Sequence, residues 1–298
     1  MIQANWSRLD ARKKIGGGNV KTALCWGCAP GADIHRLLDI AAVNGFDEVS
    51  ITPGHYLDAV ARGACNSQLE QLCASKGVSV GVIDPLIAPL PGVPNPREVR
   101  SDWRHFFEYT VQDAFQAADA LDARTVNLAH FLGSPLVSQR GLESAVRDIA
   151  QEATRRGKRV SVEFIPGTGI PTLASAIGLI ERVGLSSVGV MFDTWHFLRS
   201  EGLVSDLAQL GAGQVFELQL SDRRTPLPDE TYVPMAGRLP PGDGEAPLVA
   251  IVRALCRGAP DLVVGLEVFT AEPGNPEAAV KRLAAATRTF LRDVVAAK

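Results

Sequence analysis

Four stretches in the second half of the chain each break an apolar, β-like run with one oxygen-bearing side chain near its carboxyl end. RVSVEFIPG carries Glu163, VGVMFDTWH carries Asp193 and then His196, FELQLSDR carries Gln219, and VVGLEVFT carries Glu267. A carboxylate pointed into a barrel of strands must be neutralised, because an unpaired buried charge is very costly. Each group has an ordinary explanation when taken singly. Glu163 or Glu267 could pair with an arginine, and Asp193 could cap the turn that follows it. His196 could be a satisfied loop histidine, and Gln219 could lie on a solvated strand face. At matching depths on consecutive strands, however, three carboxylates and an amide are held most simply by one divalent cation. Such an ion, with open positions, suits proton abstraction beside a carbonyl.

The elements that would bring these residues together follow from the pattern. Strands are expected at Thr22–Cys25, Glu48–Thr52, Val78–Ile83, Thr125–Ala129, Arg159–Phe164, Val188–Phe192, Val215–Leu220 and Leu262–Val268. Between them lie helical patterns such as IHRLLDIAAVNG, QLEQLCASKG, GLESAVRDIAQEATRRGK and LASAIGLIERVG, several ending in Gly as a helix C-terminus prefers. Eight such alternations predict a parallel sheet with crossover helices. The length fits a closed (β/α)8 TIM barrel in one domain, usually about 250 residues plus insertions. No GxGxxG follows the first strand, which counts against a dinucleotide fold.

An N-terminal extension, residues 1–21, is expected to precede a barrel spanning 22–298. Two long segments, Asp84–Asp102 after the third strand and Ser221–Pro247 after the seventh, follow strand C-termini, the face where such barrels keep their sites. They read as lids or substrate walls. Trp26, His55 and His130 lie at the ends of earlier strands and are candidates for substrate contact. Trp26 could stack on a sugar face or pack under a loop, and Arg199 could bind an anion or pair with Glu201.

Composition bounds the partners. The 298 residues are 46 % hydrophobic and 21 % charged, with a net charge of −3, which argues against a nucleic-acid surface. No apolar run reaches the ~18–20 residues that span a bilayer, and no apolar segment follows the charged N-terminus. A cytoplasmic enzyme is the expectation. Five scattered cysteines do not suggest a disulfide framework. Cys25 and Cys28 spell a CxxC, but with no second Cys/His pair and no intervening proline it reads as two small residues at a strand end.

The ordered motifs resemble the sugar phosphate isomerase/epimerase family of xylose isomerase-like barrels, a group that also includes endonuclease IV. VEF at Glu163, FDTWH at Asp193 to His196, QLSD at Gln219, RLPPGDGE from Arg238 and LEV at Glu267 follow the family's order. The resemblance covers the chain from the first strand onward. It implies metal ligation by Glu163, Asp193, Gln219 and Glu267, proton transfer and substrate contact by His196, and substrate contact by Arg238. It also implies a small keto-sugar or polyol substrate and a possible homo-oligomer. The five histidines present cannot build the three-zinc site of endonuclease IV.

Gln219 departs from the family's usual histidine, as it does in some dehydroshikimate dehydratases of the group. Three carboxylates and an amide oxygen suit Mn2+ or Mg2+ better than Zn2+ or Co2+, which remain possible. With Glu163 and Glu267 as opposed bases, the expected reaction is isomerisation or epimerisation of a keto-sugar or polyol; His196 is the expected acid if a hydroxyl leaves instead. The alternatives are a metal-dependent dehydratase or lyase acting on dehydroshikimate, an inosose or a 3-keto glycoside, and a barrel that only binds sugar.

Overall fold

The computed structural model describes residues 14–15, 18–227, 230–269 and 275–296. Most of the expected N-terminal extension lies outside the described residues; a two-stranded antiparallel ribbon, Lys14–Ile15 with Gly18–Asn19, precedes the barrel. Eight parallel strands then close on themselves: β1 (Thr22–Leu24), β2 (Glu48–Ile51), β3 (Ser79–Leu86), β4 (Thr125–Ala129), β5 (Arg159–Glu163), β6 (Val188–Asp193), β7 (Val215–Leu220) and β8 (Val264–Leu266). Closure runs through β8, which pairs with β7 on one side and with β1 on the other. The expected (β/α)8 barrel is therefore the observed architecture.

The helices between strands cover the barrel with one apolar stripe each. In α1 (Ile34–Val43) the buried positions Ile34, Leu37, Leu38 and Ala41 recur at helical spacing. The stripe in α5 (Gln139–Arg155) runs Leu142, Val146, Ile149, Ala150 and Ala153. Gly77 and Gly184 end the helices Asn66–Lys76 and Leu173–Val183 in the left-handed conformation, at φ 64° and 67°, which glycine adopts without steric cost.

The period-2 alternation of the strands sorts chemistry to the inside. On β5, Arg159, Ser161 and Glu163 share one face and Val160 and Val162 the other; on β7 the polar face carries Glu217 and Gln219. At the N-terminal ends of the strands, buried Glu217 accepts two hydrogen bonds from Arg124 (3.0 and 2.7 Å), one from Arg159 (3.0 Å) and one from Thr125 (2.6 Å). Arg124 also reaches Glu48 at 2.5 Å. This charged layer closes the floor of the barrel, opposite the mouth.

Two strands differ from their expected bounds by more than one residue. β3 continues through Asp84 to Leu86, so Asp84 belongs to the barrel rather than to the loop. β8 is shorter than the apolar run suggested and stops just before Glu267.

Candidate active site

Glu163, Asp193, Gln219 and Glu267 converge at the C-terminal mouth of the barrel, all buried. Asp193 ends β6 and caps α7 (Thr194–Arg199), accepting a hydrogen bond from the Trp195 amide at 2.7 Å. That cap fixes the turn which brings His196 back over the mouth. His196 Nε2 lies 3.1 Å from Glu163 Oε1 and 3.2 Å from Asp193 Oδ2. On its other side, Nδ1 lies 2.5 Å from the hydroxyl of Tyr232.

Arg238 enters this group from the loop after β7. Its guanidinium holds both oxygens of Asp193, at 3.0 and 2.6 Å, and lies 3.0 Å from Glu267 Oε2. Gln219 donates through Nε2 to Glu267 (3.1 Å) and to Asp84 (3.3 Å). Asn127 donates to both Asp84 and Glu163 at 2.8 Å, and Ser161 donates to the Asn127 carbonyl oxygen at 2.8 Å, fixing the amide.

The electrostatics are unbalanced. Four carboxylates, Asp84, Glu163, Asp193 and Glu267, are buried beside one buried arginine. Burial pushes Asp84 up to about 7, and the neighbouring Glu163 charge adds to the rise. Burial also holds Glu267 well above the usual carboxylate range; Arg238 opposes this, while Asp193 and Glu163 reinforce it. At Asp193 burial acts upward too, but Arg238 and His196 outweigh it and the carboxyl sits below its ordinary value. Burial disfavours the Arg238 charge, yet Asp193 and Glu267 hold it more firmly protonated than usual.

This surplus of negative charge fits a divalent cation. The buried acceptor Gln219 Oε1 has no hydrogen-bond donor, and Glu267 Oε2 is met by its ion pair with Arg238 at 3.0 Å. Among the described residues, two trios place ligand atoms within 4.8 Å of one another: Glu163, Asp193 and His196, and Cys25, Asp84 and Glu267. The four expected ligands thus divide between two corners, with Arg238 bridging Asp193 and Glu267. An ion held by Glu163, Asp193, Glu267 and the Gln219 oxygen would compete with that guanidinium and require the Gln219 amide to present its oxygen.

The remaining expected residues are scattered differently. Trp26 lines the cavity with Phe106 and Phe269. His130 is fully buried and engaged by backbone at both ring nitrogens, Pro91 O at 2.9 Å and Gly169 N at 3.1 Å, so it fastens two loops and does not face the carboxylates. His55 packs at the start of the helix Pro53–Ala61 against Thr52 Oγ1, at 2.7 Å, and lines an outer cleft instead of the carboxylate-lined mouth. Arg199 pairs with Glu230 at 3.1 Å rather than with Glu201. Cys25 and Cys28 are buried: Cys25 donates to Glu267, and burial pushes the Cys28 thiol up to about 12, which leaves the CxxC unreactive.

Sequence reasoning missed Asp84, Asn127 and Tyr232. Asp84 carries the same signal as the other strand-end acids, a carboxylate closing the apolar run VGVI, but the proline after it reads as a loop. Asn127 sits within an unbroken strand, and nothing local marks Tyr232.

A profile of the xylose isomerase-like TIM barrel family matches residues 38–292, and the chain belongs to that family. It is similar to an inosose isomerase of Halalkalibacterium halodurans, 25 % identical over 34 % of this chain and 39 % of that one. It is also similar to a 3-dehydroshikimate dehydratase of Pseudomonas putida, 22 % identical over 81 % of this chain and 38 % of the relative. The chain thus spans well under half the length of these curated relatives. A solved structure titled as IOLI protein with a bound zinc atom superposes with a TM-score of 0.73 at 17 % identity, covering 93 % of this chain and 98 % of that one. No helix among the described residues is long and apolar enough to cross a membrane.

Proposed function

We propose that the chain is a divalent-metal-dependent isomerase or epimerase of a keto-sugar or related polyol, acting by proton abstraction next to a carbonyl. The observation that carries this reading is the set of four buried carboxylates facing one arginine, with Gln219 Oε1 left without a hydrogen-bond donor. A divalent ion, Mn2+ or Mg2+ on this oxygen-rich donor set, would when bound polarise a substrate carbonyl and balance the surplus charge.

The chain's own groups then divide the proton work. Asn127 pins Glu163 Oε2, leaving Oε1 beside His196 Nε2 at 3.1 Å. In this reading Glu163 acts as a base whose proton His196 relays, which the 3.1 Å contact supports. Tyr232, against the other ring nitrogen, orients the imidazole and covers it from solvent. Glu267 comes from the end of β8, separated from β5 by β6 and β7, so in this reading the two glutamates address opposite faces of a ring, as epimerisation requires.

A dehydratase is the second reading. Gln219 favours it, together with the similarity of most of the chain to Pseudomonas 3-dehydroshikimate dehydratases. There His196 would protonate a departing hydroxyl. Against dehydroshikimate itself, Arg238 is already engaged by two carboxylates, leaving little to meet an anionic substrate.

Metal analysis of the purified chain, followed by incubation with inososes and ketohexoses in D2O, tests both. Chelator-sensitive incorporation of solvent deuterium without a conjugated product supports the isomerase. An ultraviolet-absorbing enone supports the dehydratase. Absence of metal and of exchange would sink both.

A further inference from the structure

Two hydrogen-bond donors partition the buried acids into two corners. Asn127 Nδ2 stands between Asp84 and Glu163, 2.8 Å from each. Arg238 stands between Asp193 and Glu267. Glu163, Asp193 and His196 make one corner and Cys25, Asp84 and Glu267 the other, each with ligand atoms within 4.8 Å of one another and with no residue in common. In the first corner the acids are closely held, Asp193 by Arg238 at 2.6 and 3.0 Å and both acids by His196 at 3.1 and 3.2 Å.

The second corner is held loosely. Asp84 Oδ2 and Glu267 Oε1 share one donor, Gln219 Nε2, at 3.3 and 3.1 Å. Cys25 Sγ adds a 3.5 Å contact to the same Glu267 oxygen. All four side chains are buried. The Gln219 amide cannot satisfy both of its ends there. As it stands, its oxygen is buried without a donor; turned over, that oxygen would face two carboxylate oxygens. A cation among the three removes the conflict, because the amide oxygen can then ligate it.

We infer that Cys25, Asp84 and Glu267 form a position for a thiophilic divalent cation, Zn2+ above all, with the Gln219 oxygen as fourth ligand. A thiolate, two carboxylates and an amide oxygen suit zinc, whereas Mn2+ and Mg2+ prefer oxygen alone. Cys25 and Asp84 set this position apart from the ligand set of the proposed function. An ion here displaces only the three long contacts and leaves Arg238 on Asp193 and Asn127 on Glu163. Asp84 and Glu267 line a cavity of about 60 Å3, which has room for an ion to arrive with a few waters. Burial keeps the Cys25 thiol protonated when no ion is bound; ligation forms the sulfur–metal bond and passes that proton to solvent.

Titration of the metal-stripped full chain with Co2+, followed by absorption, tests this without any substrate. The expected result is a thiolate-to-cobalt charge-transfer band in the near ultraviolet that saturates at one equivalent. Cys25→Ser should abolish the band, and Asp84→Asn should weaken Co2+ binding by about tenfold or more. Cys28→Ala, Cys65→Ser at the exposed thiol, and Glu163→Gln should leave the band unchanged. X-ray absorption of the zinc-loaded wild type needs no variant, and should show one sulfur at about 2.3 Å with oxygens at about 2.0–2.2 Å. Absence of the cobalt band, its survival in Cys25→Ser, its loss in folded Glu163→Gln, or a zinc shell without sulfur overturns the inference. Chelator-sensitive deuterium exchange alongside any of those results leaves the functional reading standing. The band without exchange on any substrate leaves the thiolate position standing and sinks the functional reading.

Discussion

Arg238 grips both oxygens of Asp193 and lies 3.0 Å from Glu267, so one guanidinium occupies two of the four expected metal ligands. A divalent ion must share or displace it. Replacing Arg238 by Met is expected to tighten Mn2+ binding about tenfold, because two buried carboxylates lose the guanidinium they share. Turnover should fall at the same time. Weaker Mn2+ binding, measured by titration calorimetry, would mean that Arg238 supports the ion's ligands rather than competing with it.

Glu163 Oε1 lies 3.1 Å from His196 Nε2, which makes it the base under the proposed function. Glu163→Gln keeps the Asn127 contact available and removes the basic oxygen, so catalysed C–H exchange should drop by about 10^2–10^4. Far-ultraviolet circular dichroism should be unchanged. Tyr232→Phe, which removes only the contact to His196 Nδ1, should produce a smaller loss of the same kind.

Under the proposed function, Gln219 would harden the donor set. Gln219→His should shift metal preference towards Zn2+, since an imidazole nitrogen suits that ion better than an amide oxygen. Metal content after growth in mixed metals is the measurement. An unchanged Mn2+ to Zn2+ ratio would remove Gln219 from the coordination sphere.

His130 predicts a pH dependence of stability. Burial depresses its pKa, and the Gly169 amide donates to Nδ1, so the folded state prefers the neutral ring. The unfolded chain binds a proton near its ordinary value of about 6.5. Its contribution is therefore fully present above about pH 6.5 and is lost as pH falls through the lower folded value. Thermal melts at about pH 7.5 and pH 5.5 should differ, and the difference should shrink in His130→Gln.

The barrel floor predicts a pure stability effect. Glu217→Gln leaves Arg124 and Arg159 with a weaker partner; about 3 kcal/mol is expected, at the low end for a buried pair because the arginines are about one-third exposed. That corresponds to a fall in Tm of about 6 °C or more, with KM unchanged.

The strand-end acids Glu163, Asp193 and Glu267 were readable because each breaks an apolar run of period 2, and that periodicity also announced the barrel. Asp84 was hidden by Pro85, whose loop signal outweighs a β pattern that tertiary pairing extends by three residues. Tyr232 and the engaged state of Arg238 depend on how the segment after β7 folds back, for which no periodicity exists. His130 and His55 have the right residue type at the right kind of place. Their ring nitrogens were claimed by nearby backbone and hydroxyl groups, which spacing alone does not show.

The charged layer around Glu217 lies at the opposite end of the barrel from the carboxylate cluster, and no hydrogen bond described above joins the two directly. The molecule therefore keeps its foundation and its workshop on separate floors. Random replacement confined to 87–110 and 223–237 should leave most variants folded while altering which compounds are accepted. The same number of changes spread over 48, 124, 125, 159 and 217 should leave few folded at all. This barrel is built so that its appetite can be rewritten without rebuilding the house.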